Sequence, residues 1–214
     1  MKNVSILFIA LVITGCSALA TAGGYEKSMQ TNIDQLDTAR SAESILAIAN
    51  SFERIANAEG EKWLPAYYAG YTHIYRSFFL KGDKPAAEAA LDQAEKWAGK
   101  AVETAPGEDE VYVLLGYIDM IRLSLDPASR GQSMTPKVMQ QFGRAMEMDP
   151  QNPRAMALMA RMKMGTAQFF GQSMEEPCGM AQASLKLFEA EEPAPLHPRW
   201  GKELALEMVE GCKK

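Results

Sequence analysis

Three prolines set the frame of this chain. Pro106, Pro150 and Pro193 each close an apolar, alanine-rich run, at intervals of 44 and 43 residues. Between them, apolar residues recur at spacings of three and four. One such run is Leu46, Ala49, Phe52, Ile55 and Ala56; another is Leu91, Ala94, Trp97, Ala98, Ala101 and Val102. A third is Val138, Met139, Phe142, Ala145 and Met146. That spacing puts apolar side chains on one face of a helix. The period-two alternation of a half-buried strand does not occur over a strand length. A fixed period long enough for two helices reads as a solenoid, in which each pair buries its face on its neighbours. The predicted fold is therefore all-α: about four helix pairs plus a C-terminal capping helix. The expected helices span 25–39, 42–58, 62–80, 85–105, 108–125, 135–148, 152–169, 177–191 and 198–211.

A second echo is literal. Gly131-Gln132-Ser133-Met134 returns as Gly171-Gln172-Ser173-Met174, and each is followed by a proline, Pro136 and Pro177. Proline suits the first position of a helix, where its missing N–H costs nothing. The stretches Lys81 to Pro85, Asp126 to Pro136 and Gly171 to Pro177 are accordingly expected to link the two helices of a pair.

The N-terminus carries an export signal. Lys2 precedes an apolar run from Val4 to Ile13, and small residues follow. This is the layout of a secretory signal peptide. The run is shorter than the about 20 apolar residues a bilayer span needs, and no later stretch qualifies as a transmembrane helix. Two processing readings stay open. Ala20-Thr21-Ala22 offers a small-x-small cleavage site, giving a signal peptide at 1–22 and a mature helical domain at 23–214. Alternatively, Ile13-Thr14-Gly15-Cys16 resembles a bacterial lipobox, which would make Cys16 a lipid anchor and the protein an outer-membrane lipoprotein. The expected location is periplasmic or extracellular.

Export bears on the remaining cysteines. Cys178 and Cys212 fall at the start of one helix and the end of the next, and adjacent antiparallel helices bring such ends together. In an oxidising compartment the two are expected to form a disulfide; two separate buried thiols are the alternative.

Tyr112, Leu115 and Gly116 reproduce the aromatic-x-x-Leu-Gly opening of a tetratricopeptide (TPR) repeat, and Phe142, Ala145 and Pro150 its close. The chain thus resembles a stretched TPR protein, with a period near 44 in place of the family's 34. More narrowly, it resembles small exported bacterial TPR-like proteins of unassigned function. The matching residues are Phe52 to Ala56, Trp63 to Tyr68, Phe170-Gly171, Cys178, His197 to Lys202 and Cys212. That likeness supports cleavage by signal peptidase and the Cys178–Cys212 bridge, and it implies no known activity.

Candidate binding residues follow from the same frame. Trp63, Tyr67, Tyr71, Tyr75 and Phe79 recur every four residues on one helix. In TPR-like solenoids the first helix of each pair lines the concave surface. Tyr67, Tyr71, His73 and Tyr75 are therefore the expected partner-binding face, with core packing as the bland alternative. The expected partner is a protein or peptide of the cell envelope. The net charge of −5 gives no basic footprint for nucleic acid.

Catalytic chemistry has little to stand on. No nucleophile elbow, phosphate loop, zinc helix or dinucleotide fingerprint occurs. The acids at Glu108 to Glu110 fall at the start of a helix, where the helix dipole favours them. Two histidines, His73 and His197, lie on distant elements and do not make a metal site. Met156, Met159, Met162 and Met164 crowd one helix as gap fillers. The expectation is a non-enzyme with no cofactor and no metal. A lipid-anchored assembly factor is the alternative, and a small-molecule binder or enzyme using the His73 face is a further one. Nothing in the sequence sets the oligomeric state.

Overall fold

The structure, a computed structural model, describes residues 16–80 and 82–213. The expected signal peptide covers 1–22, of which 1–15 lie outside the described residues. Among those described the chain forms α-helices and no strand. They are α1 (Cys16–Thr38), α2 (Ala42–Ala58), α3 (Trp63–Phe78), α4 (Lys84–Thr104), α5 (Asp109–Ser124), α6 (Pro127–Met148), α7 (Pro153–Phe170), α8 (Glu175–Ala190) and α9 (Lys202–Gly211).

Helix starts follow local chemistry. The Asp83, Asp126 and Asn152 side chains accept from the backbone N–H groups of Ala86, Ser129 and Ala155, satisfying donors that a first turn leaves free. Ser41 and Ser44 cap α2 reciprocally. The apolar spacing then decides which face is buried. On α2 it is Ile45, Ile48, Ala49, Phe52 and Ala56.

Each helix packs on the next, and α3 also packs on α5, α5 on α7 and α7 on α9. Helices α3, α5, α7 and α9 therefore form one continuous inner layer, as stacked helix pairs require. The period shows in the polar contacts too. Lys84 pairs with Asp126, and Lys100 donates to Asn57, over 42 and 43 residues. This packing is compatible with the tetratricopeptide likeness.

Two expectations need correction. Asp126 to Pro136 is not a linker. α6 begins at Pro127, capped by Asp126, and runs through Pro136. An internal proline leaves the carbonyl four residues back without its helical partner. Here Pro136 and Gln132 are both exposed, so water can satisfy that carbonyl. It follows that the Gly-Gln-Ser-Met echo is not a structural repeat: the first copy lies inside α6, the second in the α7–α8 connection.

Cys178 and Cys212 are joined in a disulfide, with Cα atoms 5.9 Å apart. The bridge ties the last helix to α8 across a loop of 34 residues.

Candidate functional site

The first half of the aromatic stripe of α3, Trp63, Tyr67 and Tyr71, is covered by the chain's own C-terminal segment. Residues 191–201 leave α8, cross the face formed by α3, α5 and α7, and enter α9. Trp200 stacks on Tyr71 of α3 (centroids 4.8 Å apart, planes 15° apart) and on Tyr117 of α5 (5.5 Å, 20°). Its indole N–H donates to the Tyr67 hydroxyl at 3.0 Å. His197 meets Trp63 edge-on at 5.5 Å. Leu196 is buried at φ 66°, a left-handed conformation that a leucine holds only when its surroundings impose it. Gly201, at φ 105°, makes the turn into α9; a β-carbon there would sit 3.0 Å from Phe188.

A buried ion pair anchors this segment. Glu110 of α5 accepts from Tyr67, from Asn152 and from the Arg154 Nε at 2.6 Å. Arg154 also pairs with Glu191, at the end of α8. Burial pushes the Glu110 carboxyl up, and the Arg154 charge beside it pulls it back. Losing either partner would strand a buried charge, which is strongly destabilising. Glu110 is thus more than a helix-start acid.

The expected partner-binding face is therefore divided, and two of its members are corrected. Tyr67 is fully buried beneath Trp200, so it cannot meet a partner. His73 points away from the inner layer: its Nε2 lies 2.8 Å from Glu53 of α2, and the residue is buried. Burial lowers its pKa. Facing a neighbouring helix, it has no access to a ligand, and the reading that used its face loses its basis. Tyr71 is half-buried under Trp200. Tyr75 is half-buried against Phe78 and Phe79.

Beyond Tyr117 the inner layer opens into a groove of about 1130 Å³. It lies between the C-terminal half of α3, α5, the first turns of α6, and α7. Its apolar wall includes Phe78, Met120, Leu123, Met162, Phe169 and Phe170. Phe169 and Phe170 are 81% and 66% exposed, the most open large apolar side chains described. Phe78 touches the aromatic stack at Tyr117 (6.3 Å), so stack and groove are continuous. Arg161 is the one charged side chain on the lining. No histidine, tyrosine or cysteine lines it. Among the described residues, no cluster of three His, Cys, Asp or Glu could hold a metal ion, and no helix is long and apolar enough to cross a membrane.

Over 92% of its length the chain is similar to the solved structure of the HusA haemophore from Porphyromonas gingivalis. The match covers 94% of that chain, with a TM-score of 0.76 and 27% identity. No protein-family model matches this sequence, and no curated protein does.

The groove was not visible in the sequence. Met162 reads as a gap filler of the core, and it is largely buried, as is Met120. The adjacent Phe169 and Phe170 were the available signal: a helix with one buried stripe cannot bury two consecutive aromatics. In the sequence Trp200 stands out only through the family likeness, although it stacks between α3 and α5 of the inner layer.

Proposed function

We propose that this is an exported, non-catalytic binding protein of the bacterial envelope that carries a flat, largely apolar ring compound of the haem class. The observation that carries this reading is the groove between α3, α5, α6 and α7. At about 1130 Å³ it exceeds the about 300–1,000 Å³ of ordinary small-molecule pockets. Its apolar wall and two exposed phenylalanines suit the faces of a ring, and burying that surface supplies the binding energy. The likeness to a haemophore supports the same ligand class. The signal at 1–22 supports export, and anchoring at Cys16 would leave this groove unchanged.

A protein or peptide ligand on the α3 stripe is disfavoured, because Trp200 and His197 already cover it. An enzymatic role has no support in the groove, which holds neither a nucleophile with a base nor a pair of carboxylates.

The test is a titration of the exported protein with haemin, read by tryptophan quenching and by the visible absorption of the ring. Saturation at a fixed ratio is expected, with affinity reduced at least tenfold in Phe169→Ala/Phe170→Ala. Linear, unsaturable uptake, or a double variant that binds as well as wild type, would overturn the assignment to this groove.

A further inference from the structure

We infer that Arg161 selects the charge of the ligand by taking a carboxylate at the edge of the ring. The inference rests on the groove reading above, and goes beyond it by naming which rings are accepted.

The first observation is the state of Arg161. It makes no ion pair among the described residues. Other arginines also stand unpaired, Arg40 and Arg199 among them; Arg161 differs in being the one charged side chain described on the groove lining. Three arginines of α5, α6 and α7 are held: Arg122 by Glu88, Asp92 and Glu95, Arg130 by Glu88, and Arg154 by Glu110 and Glu191. Lys163, two residues on along α7, is paired with Glu176.

The second observation is how most of the other polar groups of the groove are spent, Gln132 and Thr135 remaining as neutral groups. The Ser77, Ser124 and Thr166 hydroxyls donate to carbonyls of their own helices, at 2.6, 2.7 and 2.9 Å. Arg161 is left as the charged donor on an apolar wall. A guanidinium there offers two parallel N–H groups to a carboxylate, a geometry neither an alcohol nor a lone ammonium reproduces. The position is also suitable. Arg161 is exposed at the rim, and its charge reaches Tyr117, where the aromatic stack meets the groove. A ring lying on the apolar wall can keep its acidic edge at the mouth, in contact with Arg161 and with water.

The experiment compares haemin with haemin dimethyl ester, which has the same ring and no free carboxylate, on wild type and Arg161→Ala. Wild type should bind haemin at least tenfold tighter than the ester. Arg161→Ala should lose about tenfold for haemin, which is about 1.4 kcal/mol, and less than twofold for the ester. The haemin preference should shrink in high salt. Equal losses for both rings would reduce Arg161 to apolar contact through its stem and overturn the inference, as would unchanged haemin binding. If wild type binds neither ring, the ring-carrier reading itself fails and this inference fails with it. Arg161 is exposed, so its truncation leaves the fold intact, and matching thermal melts check that.

Discussion

Trp200 is the side chain through which the C-terminal segment holds the inner layer, and its removal is the most informative perturbation of the fold. Truncation to alanine takes away two aromatic stacks, on Tyr71 and Tyr117, and one hydrogen bond to Tyr67. Each stack contributes about 0.5–1.5 kcal/mol, and the hydrogen bond about 0.5–1.5 kcal/mol. Tyr67 keeps its bond to Glu110, so no phenol is stranded. Trp200→Ala should therefore cost about 2–4 kcal/mol. For a chain of this size, each kcal/mol lowers the melting temperature by about 2–4 °C. Trp200→Phe keeps both stacks and loses only the N–H donor, so its cost should be about 1 kcal/mol. The assay is urea unfolding followed by helical circular dichroism, because the substitution itself removes one of the three tryptophans that report by fluorescence. An alanine variant within about 0.5 kcal/mol of wild type would refute the account. So would a phenylalanine variant as destabilised as the alanine one, since the stacks would then be worth nothing.

Three further outcomes are expected. Cys178→Ser opens a 34-residue loop and should cost about 3–4 kcal/mol in the chain-entropy model; reductant should lower the melting temperature of wild type and leave that variant unchanged. Gly116→Ala would place a β-carbon 2.5 Å from the ring of fully buried Phe142, so overpacking of about 1–3 kcal/mol should outweigh the gain of about 1 kcal/mol in helix propensity. Gly99→Ala, with open space around it, should instead stabilise in a paired thermal melt. Burial lowers the His73 pKa, so the folded state binds fewer protons there than the unfolded chain. Stability should be full above the ordinary histidine range near pH 6.5 and decline as pH falls below it. His73→Gln should flatten that decline between pH 7 and pH 5, and parallel profiles for the two proteins would refute it.

What the sequence made legible was local. Helix pairs follow from apolar spacing, caps and prolines, all of which act within a few residues. The cysteine pairing followed from helix ends that must meet. The start of α6 misled because two prolines, Pro127 and Pro136, can each open a helix, and only solvent exposure at Gln132 lets the earlier one win. The site was harder, because its parts are distant and unpatterned. Tyr67 and Trp200 are 133 residues apart, and the segment that carries Trp200 has no periodicity to announce where it packs. The tyrosine stripe was found, but its occupant was not. The groove draws on four helices, each contributing residues that look like ordinary core in isolation.

The self-occupied stripe bears directly on what kind of ligand the protein can take. An inner layer left open along its whole length would suit an extended peptide. Here one half is closed by residues 191–201, held by Arg154 against Glu191 at one end and by the disulfide-tethered α9 at the other. A long ligand lying along the layer would have to displace Trp200. At about 2–4 kcal/mol, that displacement would weaken its binding about 30- to 700-fold. A compact ring confined to the open groove displaces nothing and meets a preformed wall, so little ordering opposes its binding. The same comparison supplies a control. Trp200→Ala should improve the binding of extended apolar peptides while leaving haemin affinity nearly unchanged, because the stack ends where the groove begins. A loss of haemin affinity as large as that of the phenylalanine pair would mean that the ring sits on the stack itself, with Tyr117 and not Phe169 at its face.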